Sequence, residues 1–209
     1  MNTILPEETT AFAKAYVAAE HETSTYQKWE ESGAFAPHTD QSKPAFSIIM
    51  PPANANGNLH MGHALVVSLQ DVMIRYHRMK GDRTLWVPGS DHAGIETQVV
   101  FEKKLEKEGR SRFQMTQPQF YEEVMAFTLE NKKNMENQVR QLGASCDWQT
   151  ERFTLDEIVI KQVYATFKKM YQEGLIYRGE RIVNYSVNYQ TAYADIKLFT
   201  KTVTTLCIS

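Results

Sequence analysis

Cysteine is scarce: Cys146 and Cys207 are the only two in 209 residues. That excludes a disulfide-stapled framework and fits a reducing compartment. No run of about eighteen apolar residues occurs, so no membrane span is expected. An excess charge of one sign is missing too. Lys and Arg total 23 against 25 Asp and Glu, a net charge of −2, so contact with nucleic acid would need a local patch. Met1 to Glu8 lacks the basic-then-apolar order of a signal peptide; cytoplasm is the expected compartment. The length suits one large domain or a domain with an insertion, and 42% apolar with 23% charged residues is ordinary for a globular chain. Glycine and proline are sparse, 10 and 7, so the place where they gather stands out.

That place is Pro51-Pro52-Ala53-Asn54-Ala55-Asn56-Gly57-Asn58-Leu59-His60-Met61-Gly62-His63. It follows an apolar run, Ala45 to Met50, that reads as a buried strand. It precedes a helical pattern in which Met61, Leu65, Leu69, Val72 and Tyr76 form one apolar stripe at 3.6-residue spacing, with Gly81 as its stop. Strand, tight loop and helix N-terminus is where an open α/β sheet holds a nucleotide. His60 and His63 are three apart and share a helix face. Beside the unpaired N–H groups of a first helical turn, two imidazoles suit a polyphosphate. Gly62 removes a side chain and lets a flat ring approach the backbone. A metal site or two surface histidines are the alternatives. Zinc would want a third ligand, for which His92 is available.

Arg83 to Val87 predicts a second strand, parallel to the first because a helix joins them. The loops after both strands then open on the same side of the sheet, which lets Asp91 face His60 and His63. Helices are predicted over 17–32, 95–108 and 118–142, stopped by Gly33, Gly109 and Gly143. Phe35 to Pro44 reads as a linker. Thr154 to Glu157 has the spacing of a capping box, opening a helix to Glu173 with Ile158, Val163, Phe167 and Met170 near one face. Leu175–Tyr177 and Arg181–Tyr185 read as short strands. Cys146, beside Asp147 and with no basic neighbour, reads as structural. Asp91 has a second reading, as the N-cap of the helix from Ile95.

His60-Met61-Gly62-His63 resembles the HIGH signature of class I aminoacyl-tRNA synthetases. Trp86-Val87-Pro88-Gly89-Ser90-Asp91-His92-Ala93-Gly94 resembles the corresponding segment of the valyl-tRNA synthetases. Leu142-Gly143-Ala144-Ser145-Cys146-Asp147-Trp148, then Glu151-Arg152-Phe153-Thr154, then Glu173 to Glu180 continue the likeness in order, from about Tyr16 to Asp195. The resemblance implies an α/β fold: the first half of a Rossmann-like nucleotide-binding fold, a parallel sheet with flanking helices, plus an N-terminal helix. It divides the chain into an N-terminal helix and linker (1–44), the first half of a catalytic domain (45–195), and an unplaced tail (196–209) where an editing insertion would begin. It implies ATP-dependent activation of valine and ligation to tRNA(Val) by the parent enzyme, with ATP and Mg2+, and a monomer without membrane association. By the same resemblance His60 and His63 are catalytic; Asn54, His60, Gly62 and His63 bind ATP; Pro51, Pro52 and Asp91 bind the amino acid, Asp91 through its α-ammonium; and no metal site is expected.

The pattern departs in places. Ala53 stands where the valine enzymes generally have Pro, and Asn56 replaces a usual Thr, a lean toward the isoleucine relatives. Tyr185 and Val187 stand for Trp and Pro. No Lys-Met-Ser-Lys-Ser sequence occurs, the lysine loop that steadies the leaving pyrophosphate in the family. A non-catalytic ATP-binding fragment and an isoleucyl-tRNA synthetase relative are therefore the alternative functions.

Overall fold

The computed structural model describes residues 15–188 and 190–193; the tail from 196 lies outside them. The chain divides into two compact units, residues 1–162 and 163–209.

The first unit is built on parallel strands. β1 (Ala45–Ile49) pairs in parallel with β3 (Arg83–Val87), Ala45 opposite Arg83 through Ile49 opposite Val87. The helix between them is α2 (Met61–Lys80), so the expected strand–helix–strand unit is present. Each strand then runs on into a short second strand. β2 (Ala53–Asn54), β4 (Gly89–Asp91) and β5 (Arg152–Phe153) form a parallel sheet in the order β2-β4-β5. The unit also holds α1 (Ala18–Glu31), α3 (Ile95–Lys107) and α4 (Gln117–Gln141). The α/β fold and the flanking helices stand as the sequence implied.

Helix ends follow local chemistry. Gly33, Gly81, Gly109 and Gly143 all take positive φ, the left-handed stop that glycine adopts without a Cβ penalty. Thr116 caps α4, its hydroxyl reached by the Gln119 N–H at 3.5 Å, and Pro118 sits in the first turn, where its missing N–H costs nothing.

The core gathers Met50, Val67, Ile74, Trp86, Val139, Ala144 and Cys146. Trp86 is fully buried, and its indole N–H donates to Gln70 Oε1 at 3.1 Å, so burial leaves no orphan donor. Burial pushes the Cys146 thiol up to about 12, which makes it an inert packing residue. α1 is tied down by Tyr26. Its hydroxyl donates to the Ala144 carbonyl at 2.6 Å and accepts the Trp148 indole N–H at 2.7 Å.

Three expectations are corrected. The stripe Met61, Leu65, Leu69, Val72 and Tyr76 faces outward, Met61 being 83% exposed. The buried face of α2 carries Val67 and Ile74, extended by Gln70 and by His77, whose ring stacks on Phe46 at 3.6 Å and meets Asp82 at 2.6 Å. The helix has two apolar sides, and polar residues complete the one that packs. Second, α5 (Glu157–Gln172) starts at Glu157, so Thr154 lies outside it and does not open a capping box. Asp156 precedes it and accepts the Phe153 N–H at 2.8 Å.

Third, in the second unit Leu175–Tyr177 and Arg181–Val183 are not strands. Leu175 N–H bonds back to Met170 O and Gly174 N–H to Tyr171 O, with Gly174 at φ 70. That helix terminus takes up Leu175. The strands are β6 (Asn184–Ser186) and β7 (Thr191–Tyr193), an antiparallel pair.

Candidate active site

Two connectors leave the parallel strands and are hydrogen-bonded to each other. Ala53 lies opposite Ser90 and Asn54 opposite Asp91, and the Ala55 N–H donates to Asp91 O at 2.7 Å. α4 holds the first connector from the side: Leu59 N–H donates to Gln138 Oε1 at 2.8 Å, and Asn134 Nδ2 to Asn58 Oδ1 at 2.7 Å.

At the end of that connector the two histidines lock one another. Gly62 N–H donates to His60 Nδ1 at 3.0 Å, and His60 N–H donates to His63 Nδ1 at 3.2 Å. The rings lie 3.9 Å apart, tilted by 31°. An Nδ1 that accepts a hydrogen bond carries no proton, so both imidazoles are the Nε2–H tautomer and each presents one donor. Desolvation first, then the neighbouring His60 charge, holds the His63 pKa below its ordinary value. The pair thus presents two Nε2–H donors. Gly62 makes this possible, because a Cβ there would lie 2.8 Å from His60 Cε1. The flat ring over Gly62 is that of His60.

A cavity of about 210 Å3 opens between the connectors. Pro51, Pro52, His63, Gly89, Ser90 and Trp148 contribute to its wall. Asn54, His60, Gly62 and Asp91 are not part of that wall, although Asn54 and Asp91 are paired in register beside it. Its lining is mainly apolar, with Glu136 and Glu151 as the charged members. Ser90 donates to Glu151 Oε1 at 3.1 Å, and Lys132 Nζ sits 3.2 Å from the same oxygen while also pairing with Glu136. Desolvation lowers the Lys132 pKa, but the hydrogen bonds and charges of Glu136 and Glu151 outweigh it and hold it above the usual range. Arg140 extends the chain, pairing with Glu136 and stacking 3.8 Å over Trp148. A ligand with a small apolar body and polar ends suits such a wall.

Asp91 is not the N-cap of α3. Gly94 holds that position, and the Asp91 carboxylate accepts the Ala93 N–H instead. His92 is engaged with Thr154 at 2.6 Å. Among the described residues no three His, Cys, Asp or Glu are grouped to hold a metal. Sequence reasoning gave no role to Lys132 and Glu136, which lie on α4 with no motif of their own, or to Glu151, which it met only within a family likeness. It also took Thr154 for a helix cap. The cue for Thr154 was the Glu151-Arg152-Phe153-Thr154 likeness itself.

The family model "tRNA synthetases class I (I, L, M and V)" matches residues 24–206. A valine--tRNA ligase of Dehalococcoides mccartyi is 48% identical over 194 residues, 93% of this chain and 22% of that protein. The chloroplastic/mitochondrial valine--tRNA ligase 2 of Arabidopsis thaliana is 48% identical over 177 residues, 85% of this chain and 18% of that protein. In fold, the chain is similar to the LeuRS of Agrobacterium radiobacter K84 in its ternary complex with tRNA and LeuAMS, with a TM-score of 0.70 at 24% identity over 88% of this chain and 22% of that one. The chain spans about a fifth of the length of the curated relatives it matches. Among the described residues no helix is long and apolar enough to cross a membrane.

Proposed function

The chain belongs to the class I tRNA synthetases of the isoleucine, leucine, methionine and valine group, and on that premise we propose that its site serves the activation of valine by ATP, ahead of transfer to tRNA(Val) in the parent enzyme. In this reaction the valine carboxylate attacks the α-phosphorus of ATP in line and pyrophosphate leaves. No side chain acts as a nucleophile; positioning and charge stabilisation supply the catalysis. His60 and His63 offer their Nε2–H groups to the phosphates, with Asn54 and Gly62 on the nucleotide side. Pro51 and Pro52 meet the apolar side chain, and Asp91 takes the α-ammonium through a charge-assisted hydrogen bond. Mg2+ arrives with the triphosphate as part of the substrate. The catalytic half is assigned to residues 45–195, with 1–44 as an N-terminal support.

The observation that carries the proposal is the 48% identity to a valine--tRNA ligase over 194 residues, joined to the paired Nε2–H donors beside an apolar cavity. ATP–pyrophosphate exchange by the 209-residue chain tests it, alongside calorimetric titration with a sulfamoyl analogue of valyl adenylate. Valine-dependent exchange, or analogue binding that favours the valyl over the isoleucyl form, supports the reading. Preference for the isoleucyl form selects the isoleucine relative, and binding of neither overturns both. Binding without exchange selects the second reading, a nucleotide-binding module without turnover.

A further inference from the structure

Among the described residues Asp91 is held through one carboxylate oxygen. Its Oδ1 accepts the Ala93 N–H at 3.0 Å and the Thr154 hydroxyl at 3.1 Å. Among the described residues no hydrogen bond reaches Oδ2, and the side chain is 34% exposed. Oδ1 is pinned, and among the described residues Oδ2 is left to a ligand or solvent.

The Thr154 hydroxyl has three neighbours and a single proton. His92 N–H donates to it at 2.9 Å, His92 Nδ1 lies 2.6 Å away, and Asp91 Oδ1 lies 3.1 Å away. A hydroxyl offers one proton and two lone pairs. The backbone N–H uses one lone pair. If the proton goes to Asp91, the second lone pair faces Nδ1, which must then carry a proton of its own. A bare Nδ1 would compete with Asp91 for the Thr154 proton. All three contacts are satisfied together only when His92 is protonated on Nδ1. That proton also lies 3.4 Å, nitrogen to oxygen, from Asp91 Oδ1.

Strand register brings the partners together. β5 runs parallel to β4 with Ser90 opposite Phe153, and Thr154 N–H donates to Ser90 O at 3.2 Å. One residue further lie Asp91, the last of β4, and Thr154, which directly follows β5.

We infer that Thr154, with His92 in the Nδ1–H form, is a positioning residue for the α-ammonium of the amino acid. It pins Oδ1 so that Oδ2 is presented in a fixed direction. Without it the carboxylate turns about its last torsion and must be ordered when the ligand binds, which weakens the contact. The inference rests on the reading of Asp91 as the ammonium holder, and its test separates the two.

The probes are the sulfamoyl analogue of valyl adenylate and its counterpart lacking the α-amine, titrated into the 209-residue chain. The unaltered chain favours the amine-bearing probe. Thr154→Val reduces that preference roughly tenfold, the scale of one hydrogen bond to a charged group, and leaves the amine-free probe unaffected. Thr154→Ser restores it. Thr154→Ala gives the same comparison should the valine variant melt early. Retained preference in Thr154→Val and Thr154→Ala overturns the positioning role while Asp91 keeps its own. Equal affinity of the unaltered chain for both probes removes the Asp91 reading, and this inference with it. Nitrogen-15 NMR of the imidazoles gives a check free of ligand: His92 carries its proton on Nδ1 in the unaltered chain and redistributes it in Thr154→Val. A His92 protonated only on Nε2 in the unaltered chain overturns the hydrogen-bond assignment.

Discussion

In the connector after β1 the groups that matter hold one another: Gly62 N–H binds His60, and His60 N–H binds His63, all within four consecutive residues. In the connector after β3 the corresponding work is done from outside. Asp91 is oriented by Thr154, 63 positions away. Ser90 is tied to Glu151, which shares Lys132 with Glu136 on α4. The histidine turn is a local device, although α4 braces the loop before it; the side chains of Ser90 and Asp91 depend on partners distant in the chain. A local device survives changes elsewhere in the fold; a tertiary one reports on every element that reaches it.

That contrast is open to attack by mutation. The largest effect is expected from His63→Ala. It removes one neutral donor and lowers the rate of valyl-adenylate formation about a hundredfold, the scale of a lost transition-state donor, with the melting temperature nearly unchanged. A large fall in melting temperature at unaltered activity would mean that the first connector is structural, not chemical. Asp91→Asn comes next. Valine binding weakens by roughly thirtyfold, as expected for a lost charge-assisted contact, and ATP binding changes little; equal weakening of both would refute the ammonium role.

Lys132→Met tests the reach of the second connector. It leaves Glu136 and Glu151 without their shared cation in a half-buried position. The expected loss is about 1.5 kcal/mol, or about 4 °C in melting temperature, with valine affinity reduced and the histidine ring NMR signals of the first connector unmoved. Movement of both connectors together would erase the distinction.

The smallest effect is pH-dependent. The His63 pKa is held below its ordinary value, by desolvation first and then by His60. On acidification the unfolded chain therefore takes up its proton before the folded chain does. Stability from this group is complete above the unfolded value of about 6.5 and is lost as pH falls through the lower folded value. His63→Gln should shrink the drop in melting temperature between pH 8 and pH 5 by about one or two degrees. An unchanged or steeper drop would contradict the assignment.

The same local–tertiary division explains what the sequence disclosed. The strand, the Pro-Asn-Gly loop and the paired histidines were legible because glycine, proline and i,i+3 spacing act over a few residues. The exposed side of α2 was not. Met61, Leu65, Leu69, Val72 and Tyr76 have the period of a core stripe, but periodicity says that a helix has an apolar side, not which side packs. Gln70 and His77 belong to the buried face because Trp86, Phe46 and Asp82 meet them there. Thr154 illustrates the same limit. Its spacing to Glu157 fits a cap, yet parallel pairing of β4 and β5 brings Asp91 to its hydroxyl first.

The amino-acid order alone therefore settled the family, the α/β class and the placing of two histidines at a helix start, since each depends on neighbours along the chain. Strand register decided the rest. Which oxygen of Asp91 is free, which nitrogen of His92 carries the proton and which face of α2 is buried follow from groups brought together across dozens of residues, and hydrogen-bond geometry is fixed only once they meet.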